Sequence, residues 1–372
     1  MQQKTIPLSS SKIEIGCRFS FDIFDRMGQV LLPRGNLVLS AQEVTNLRQH
    51  GRRLPEDKNT ASAFTVMQRI AERLTNLFND IKEGHNKGPQ RINQIKYLAS
   101  DFIQIADQEP DASFASIHLN IHHSYIVVHS LMAAMVCARL SMTKEWDEKD
   151  RQSLIAAALT HDIGMLDFYQ LINSRSALSE ADIHIIKTHA TRSVQMLKDF
   201  GVVDPLWLEA IQDHHEYLDG HGYAEKKGAE ISLSGRIMAL ADSYSAMLRP
   251  RPHRERLIAR QALQTLYSGD SASHYDLELV AKLIWDFGFY PPGSLLRLTN
   301  HEMAVAVRNT PGVLDDPLVA SLTDSSGRPL LKPVIRNTKE PTFNIEKTLD
   351  PSMAARAGRM FEQCWALAAS TR

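Results

Sequence analysis

The sequence predicts a mainly α-helical protein that carries small β-containing units at both ends. Three observations predict it. Residues 112–289 keep a helical spacing of apolar side chains, interrupted only by short polar breaks. Residues 12–36 instead alternate between turn signals, as short strands do. Residues 290–345 change character again, to alternating runs punctuated by proline and glycine.

The first unit covers residues 1–55. FSFDIF alternates, Met27-Gly28 is a turn signal, QVLL reads as a second strand and Pro33-Arg34-Gly35 as a second turn. Ser40 starts a helix, with Glu43 three residues on to complete a capping box, and Gly51 stops it. Residues 56–111 form a helical linker after the polar stretch from Pro55 to Ser62. Val66, Ile70, Leu74, Leu77 and Ile81 make one stripe, the segment from Gly84 to Gly88 breaks it, and Ile92 to Ile105 resume it. That stripe is expected to serve packing or a homodimer contact.

The helical domain is expected over residues 112–295. Residues 296–345 are a small β-containing extension: MAVAV, then Pro311-Gly312, then PLVASL, then Ser325-Ser326-Gly327. Residues 346–372 are expected to hold a C-terminal helix, with Asp350 as N-cap and Pro351 at its first position. Met360, Phe361, Cys364, Trp365 and Leu367 give that helix its apolar side.

Composition narrows the function. The 372 residues are 43% hydrophobic and 23% charged, an ordinary globular balance. Lys and Arg number 42 against 43 Asp and Glu, for a net charge of −1, which argues against a DNA or RNA polymer as partner. A small anion is still compatible, because a metal site supplies its own positive charge. Cys17, Cys137 and Cys364 stand far apart and suggest reduced thiols. The opening MQQKTIPLSSSK lacks a signal-peptide pattern, and no run is apolar enough for membrane insertion, so a cytoplasmic location is expected.

Fifteen histidines are present, and several sit beside an acid or another histidine within helical patterns. His161-Asp162 closes the apolar run LIAAALT and precedes Ile163-Gly164. Adjacent His and Asp reach one metal only if the backbone turns both inward, and the glycine suggests a helix end there. His214-His215-Glu216 offers two neighbouring imidazoles, one for each of two adjacent ions, followed by the flexible DGHGYA. His129, His189 and Asp242 lie singly inside apolar helical patterns, and a buried aspartate there requires a partner or a metal.

In this order the residues resemble the HD-GYP branch of the HD metal-dependent phosphohydrolases. The set H…HD…H…HH…D falls at His129, His161-Asp162, His189, His214-His215 and Asp242. HHEYLDGHGYA is similar to the family's HHE…DG.GYP block, and ADSYSAMLRPRPHR to its AD…A…RPYR block. The likeness covers about residues 112–290 and continues weakly through YPPGSLLRLTNHEMAVAV. It implies an all-helical domain holding two divalent ions, with iron or manganese suited to mixed nitrogen and oxygen ligation. It further implies that Asp162 bridges the ions, with His129, His161 and Asp242 completing one and His189, His214 and His215 the other. Asp162 and His161 are then the catalytic pair, and Gly222, Tyr223, Arg251 and Arg254 contact substrate. Five neutral imidazoles and two carboxylates around two divalent ions leave a charge of about +2, which attracts a phosphodiester.

The pattern departs from the family in four places: Met165 replaces the lysine of HDIGK, Ala224 the proline of GYP, Ser245 the second aspartate of AD..DA, and Tyr125 a glutamate that holds a third metal in some members. The resemblance implies hydrolysis of cyclic di-GMP to pGpG and onward to GMP, slowed by the missing lysine. The alternative is a weakly active or inactive domain that senses cyclic di-GMP or serves as an interaction module. Diguanylate cyclases, motility proteins or other signalling proteins are the further partners expected.

Overall fold

The structure is a computed structural model. It describes residues 6–8, 13–17, 23–25, 30–32, 38–53, 62–84, 88–119, 123–142, 146–169, 178–250, 256–268, 273–310, 312–350, 353 and 359–369.

The N-terminal unit has strands β1 (Ile6–Pro7), β2 (Ile23–Phe24), β3 (Val30–Leu32) and β4 (Arg52–Arg53), paired antiparallel in the order β1-β4-β2-β3. Helix α1 (Ala41–His50) starts as the sequence predicts: the Ser40 hydroxyl accepts from Glu43 N at 3.2 Å, and the Glu43 carboxylate accepts from Leu39 N at 2.6 Å. Ile13, Ile23, Leu32, Val38, Val44 and Leu47 form a small core of their own.

Helices α2 (Ala63–Lys82) and α3 (Pro89–Gln108) follow. α2 buries Ile70, Leu74, Leu77 and Ile81 on one side, the stripe the spacing predicts, with Val66 packed at its margin. Proline opens both α3 and α4 (Pro110–His118), where its missing N–H costs nothing.

Helix α5 (Tyr125–Leu140) is buried on every side and forms the centre of the molecule. α6 (Glu148–Thr160) is started by Asp147, whose carboxylate accepts from Asp150 N, and its apolar run packs along α5. A single 3-10 turn (Ile163–Met165) ends that segment. α7 (Glu180–Asp199), α8 (Pro205–Gln212) and α9 (Leu233–Met247) close around α5 and α6, and α10 (Ala259–Tyr267) and α11 (Leu277–Phe287) cover the remaining side. Fully burying each large apolar side chain in such a core contributes roughly 1.5–3 kcal/mol. That supply of burial energy is what allows the centre to hold two carboxylates. Among the described residues of 112–289, none is in a strand, as the spacing predicts.

The extension is a five-stranded antiparallel sheet of β5 (Leu295–Leu298), β6 (Met303–Arg308), β7 (Leu318–Thr323), β8 (Pro329–Asn337) and β9 (Ile345–Thr348), ordered β8-β7-β6-β5-β9. Alternation gives it two apolar faces. Leu295, Val305 and Val307 join the helical core, while Leu296, Leu298, Ala304 and Ala306 form a separate cluster. Helix α12 (Arg359–Ala369) packs on the sheet, and its Trp365 meets Phe64 of α2 with ring centroids 5.2 Å apart. The expected start at Asp350-Pro351 runs into residues 351, 352 and 354–358, outside the described set. All three cysteines are free thiols. Among the described residues, no helix is long and apolar enough to cross a membrane.

Candidate metal centre

Five helical segments deliver the predicted residues to one place. His129 comes from the second turn of α5 and Asp242 from α9, with His129 Nε2 2.8 Å from Asp242 Oδ1. His161 continues the α-helical backbone of α6 at φ −60°, ψ −33°. At Asp162 the backbone shifts to φ −98°, ψ 9°, and this change brings the adjacent side chain to the same point. His161 Nε2 then lies 3.7 Å from both Asp162 Oδ2 and Asp242 Oδ1.

His189 enters from the middle of α7, with Nε2 3.2 Å from Asp162 Oδ1 and 3.0 Å from His214 Nε2. His214 and His215 follow α8 at its C-terminal end, their rings 4.2 Å apart, and His215 Nδ1 lies 3.9 Å from Asp242 Oδ2. Two groups result. The donor atoms of His129, His161 and Asp162 all fall within 4.8 Å of one another, and so do those of His189, His214 and His215. Asp162 turns one carboxylate oxygen to each group, Oδ2 towards His129 and His161 and Oδ1 towards His189.

The donor set fits metal ions. Nδ1 of His161, His189 and His214 each meets the carbonyl three residues before it, of Ala158, Ile186 and Ile211, at 2.8, 2.5 and 2.6 Å. A carbonyl can only accept, so Nδ1 carries a proton and Nε2 is left to take a second proton or a metal ion. Nε2 of His189 and of His214 thus face each other across 3.0 Å, a spacing that a proton between them or a metal ion beside them satisfies. Among the described residues, His161 Nε2 is buried without a hydrogen-bond partner. Such an orphan nitrogen costs stability unless a ligand takes it.

The electrostatics point the same way. Burial would raise the carboxyls of Asp162 and Asp242, but the imidazoles around them overcome it and hold both well below the usual range. Burial opposes charge on His161, yet Asp162 and Asp242 carry it up to about 9. Burial pushes His215 down to about 4, against the pull of Asp242, and holds His214 well below its ordinary value with help from neighbouring His215. The site thus pairs strongly ionised carboxylates with imidazoles of unequal basicity, a donor set that suits cations.

Two small residues serve close packing. A Cβ on Gly164 would sit 2.5 Å from the His189 carbonyl oxygen, so only glycine lets the HD turn lie against α7. The sequence suggested this glycine for ending the helix; the structure uses it for contact, while the turn itself falls at Asp162. A Cβ on Gly222 would sit 2.6 Å from Glu216 Cα. The loop there folds over the buried Glu216, whose carboxylate accepts from Ala224 N at 2.8 Å and Lys226 N at 3.0 Å. Ala224 stands where the family has proline, so the loop gains a hydrogen bond that proline could not donate. Tyr223 is carried onto His215, ring centroids 4.6 Å apart, and keeps 41% of its surface exposed.

Of the remaining predicted residues, Arg251 and Arg254 lie outside the described set. Tyr125, the residue standing where the resemblance implies a glutamate in some members, packs its ring on His129 at 5.5 Å. Ser245 is fully buried, and its hydroxyl has no hydrogen-bond partner among the described residues. Sequence reasoning missed Ser193, which ties His161 and Gly164 to α7, and gave Glu216 no task although HHE displayed it.

A helical core thus carries a His/Asp cluster split into two donor groups, each suited to a metal ion. Residues 104–279 match the family model described as HD domain, and the two His/Asp donor groups lie within that stretch. The chain is similar to the cyclic di-GMP phosphodiesterase PA4108 of Pseudomonas aeruginosa, 26% identical over 261 residues, 68% of this chain and 61% of that protein. It is also similar to the 3'3'-cGAMP-specific phosphodiesterase 1 of Vibrio cholerae, 30% identical over 156 residues, 41% of this chain and 35% of that one. The match spans less than two thirds of either relative. Among solved structures, Bd1817, an HDG"Y"P protein from Bdellovibrio bacteriovorus, shares the fold at TM-score 0.51 and 14% identity, covering 75% of this chain and 98% of that chain.

Proposed function

We propose that this site hydrolyses cyclic di-GMP to linear pGpG, with further cleavage to GMP. The observation that carries the reading is Asp162, whose two carboxylate oxygens face the two donor groups. His129, His161 and Asp242 would hold one divalent ion and His189, His214 and His215 the other, with Asp162 between them. Iron or manganese suits this mixture of donors. Bound there, the ions supply Lewis acidity to the phosphate and lower the pKa of a water.

The chain's own residues do the rest. Asp162 and His161 stand at the junction of the two groups and orient the attacking water. Water adds to phosphorus in line with the 3′ oxygen, the P–O3′ bond breaks, and the 3′ oxygen leaves with a proton. The Gly222-Tyr223 segment borders the second donor group and limits how substrate enters. Arg251 and Arg254 are assigned to the phosphates, to which arginine offers a planar pair of donors. A cytoplasmic location suits such a substrate. The names of the relatives, phosphodiesterases of cyclic di-GMP and 3'3'-cGAMP, support this substrate class.

Met165 favours a second reading, in which the domain binds the dinucleotide and signals without efficient turnover. One experiment separates them. The protein is purified under low oxygen, its metals are assayed, and it is incubated with cyclic di-GMP at stoichiometric and catalytic ratios. Many equivalents of pGpG per site support the enzyme. Tight binding without turnover supports the sensor, and neither binding nor turnover by metal-loaded protein overturns both.

A further inference from the structure

We propose that the ion pair between Lys226 and Asp213 is a latch that holds the Gly222-Tyr223 segment over the second donor group, which makes Lys226 a positioning residue for substrate. This rests on the cyclic-dinucleotide reading above and deepens it by naming what fixes one wall of the binding site. Neither residue belongs to the donor set.

One end of the latch is part of the metal framework. Asp213 directly precedes His214 and is buried. Its carbonyl accepts from Glu216 N at 2.8 Å, which closes a tight turn around His214 and His215. Its side chain packs on the start of α9, the helix that carries Asp242. Ser232 N donates to Asp213 Oδ2 at 3.5 Å, and a Cβ on Gly235 would sit 2.5 Å from Asp213 Cβ. The other carboxylate oxygen, Oδ1, accepts from Lys226 Nζ at 2.6 Å.

The other end is the loop. Lys226 is half-buried and bound twice, by Nζ to Asp213 and by its N–H to Glu216 Oε2 at 3.0 Å. Tyr223, three residues earlier, rests its ring on His215 at 4.6 Å and donates its N–H to the His215 carbonyl at 3.3 Å. Between them Glu225 sits at φ 58°, in the left-handed region that a residue with a Cβ enters only at a cost. Such a backbone persists where its surroundings hold it. Ala224 stands where the resemblance implies proline, so no ring fixes φ on the approach to that turn. The restraint comes instead from the bonds of Ala224 N and Lys226 N to Glu216, on either side of Glu225, and from the ion pair.

Removing the lysine leaves the Asp213 carboxylate buried without its cation. The turn at Glu225 then relaxes, and Tyr223 moves off His215. Substrate held against that wall loses the contact in the ground state and in the transition state alike, so KM rises while kcat holds.

The test compares the metal-loaded whole chain as wild type, Lys226→Met, Asp213→Asn and the double variant, at equal metal content. Hydrogen exchange is followed across residues 217–227, and KM, kcat and the dissociation constant are measured with cyclic di-GMP. Lys226→Met keeps the length of the side chain without its charge. It should speed exchange of the loop amides about tenfold and raise KM and the dissociation constant about tenfold, with kcat within about twofold. The two single effects should not add in the double variant, since each removes the same contact. Unchanged exchange in Lys226→Met, or additive effects, would overturn the latch. Faster exchange and a lower melting temperature with unchanged KM and dissociation constant would make the pair structural only, and overturn the inference while the function stands. If wild type binds no cyclic di-GMP, the proposed function falls whatever the exchange shows, and the substrate role of Lys226 falls with it.

Discussion

The Ser193 hydroxyl donates to the backbone carbonyl of His161 at 2.6 Å while accepting from Gly164 N at 2.9 Å. One buried side chain on α7 therefore clamps both sides of Asp162, and the same helix supplies His189 one turn earlier. Through these two bonds the HD turn is held against the helix that carries His189. Ser193→Ala leaves a buried carbonyl and a buried N–H unpaired, at a cost of about 1–3 kcal/mol. The expected outcome is a lower melting temperature and weaker metal retention on dialysis. An unchanged melting temperature and unchanged metal content would show that the clamp does not set the site.

Asp162 faces both groups, whereas among the described carboxylates His215 lies within 4 Å of Asp242 alone. Removing them should have unequal effects. Asp162→Ala is expected to lose both ions, read as metal per chain by elemental analysis. His215→Ala should lose close to one. Retention of one full equivalent in Asp162→Ala would place the bridge elsewhere.

Gly222 packs against the backbone of Glu216 with no room for a methyl group. Gly222→Ala should push the loop outward and take Tyr223 off His215. The predicted result is a rise of about tenfold in KM or dissociation constant for cyclic di-GMP at constant metal content, roughly 1.4 kcal/mol. The control is Glu216→Gln, which halves the acceptor capacity for Ala224 N and Lys226 N and should move the same parameter in the same direction.

Much of this architecture was legible in the residues. The unbroken helical spacing predicts the bundle, and the order of His129, His161, Asp162, His189, His214, His215 and Asp242 predicts which side chains meet. The N-cap at Ser40 and the strand MAVAV are local signals, written in a few neighbouring residues. Ser193 carries no such signal, because a serine in an amphipathic helix reads as an ordinary polar position until α7 is placed against the HD turn. Tyr125 was readable only as a missing glutamate. Its stacking with Tyr169 depends on a tertiary contact between residues 44 apart in the chain. The task of Gly164 was likewise hidden: sequence identifies a glycine, but only packing shows whether backbone angle or space requires it.

In the C-terminal sheet, Glu302 accepts two hydrogen bonds from Arg336, at 2.9 and 2.8 Å, and one from Ser321 at 2.5 Å. Burial would raise its carboxyl, but Arg336 and Ser321 hold it below its ordinary value of 4.5. A carboxyl depressed in the folded state contributes stability above its unfolded pKa and loses it as pH falls through the folded one. Glu302→Gln should therefore destabilise by about 1–3 kcal/mol at pH 7. The gap between variant and wild type should close below about pH 4. Melting curves from pH 7 to pH 3 check this; a constant gap would mean that the lost contact is not ionic.

Met165 ends the 3-10 turn that begins directly after Asp162, and its N–H donates to the Asp162 carbonyl at 2.8 Å. In a 3-10 turn residues three apart eclipse, so the side chain of Met165 leaves the backbone on the same side as that of Asp162. It is 8% exposed. A lysine at this position would bring an ammonium group to the reacting phosphate, where charge grows as the 3′ oxygen departs. An interaction stronger in the transition state than in bound substrate raises kcat. Removing one such donor costs about 10²-fold, so restoring it should raise turnover by up to that factor. The measurement is pGpG release over time by Met165→Lys and wild type at equal metal content. A pure sensor would change its affinity for cyclic di-GMP without gaining steady turnover. A lower rate at equal metal content would mean that the methionine fills a packed pocket which lysine disrupts, and the missing lysine would no longer explain slow turnover.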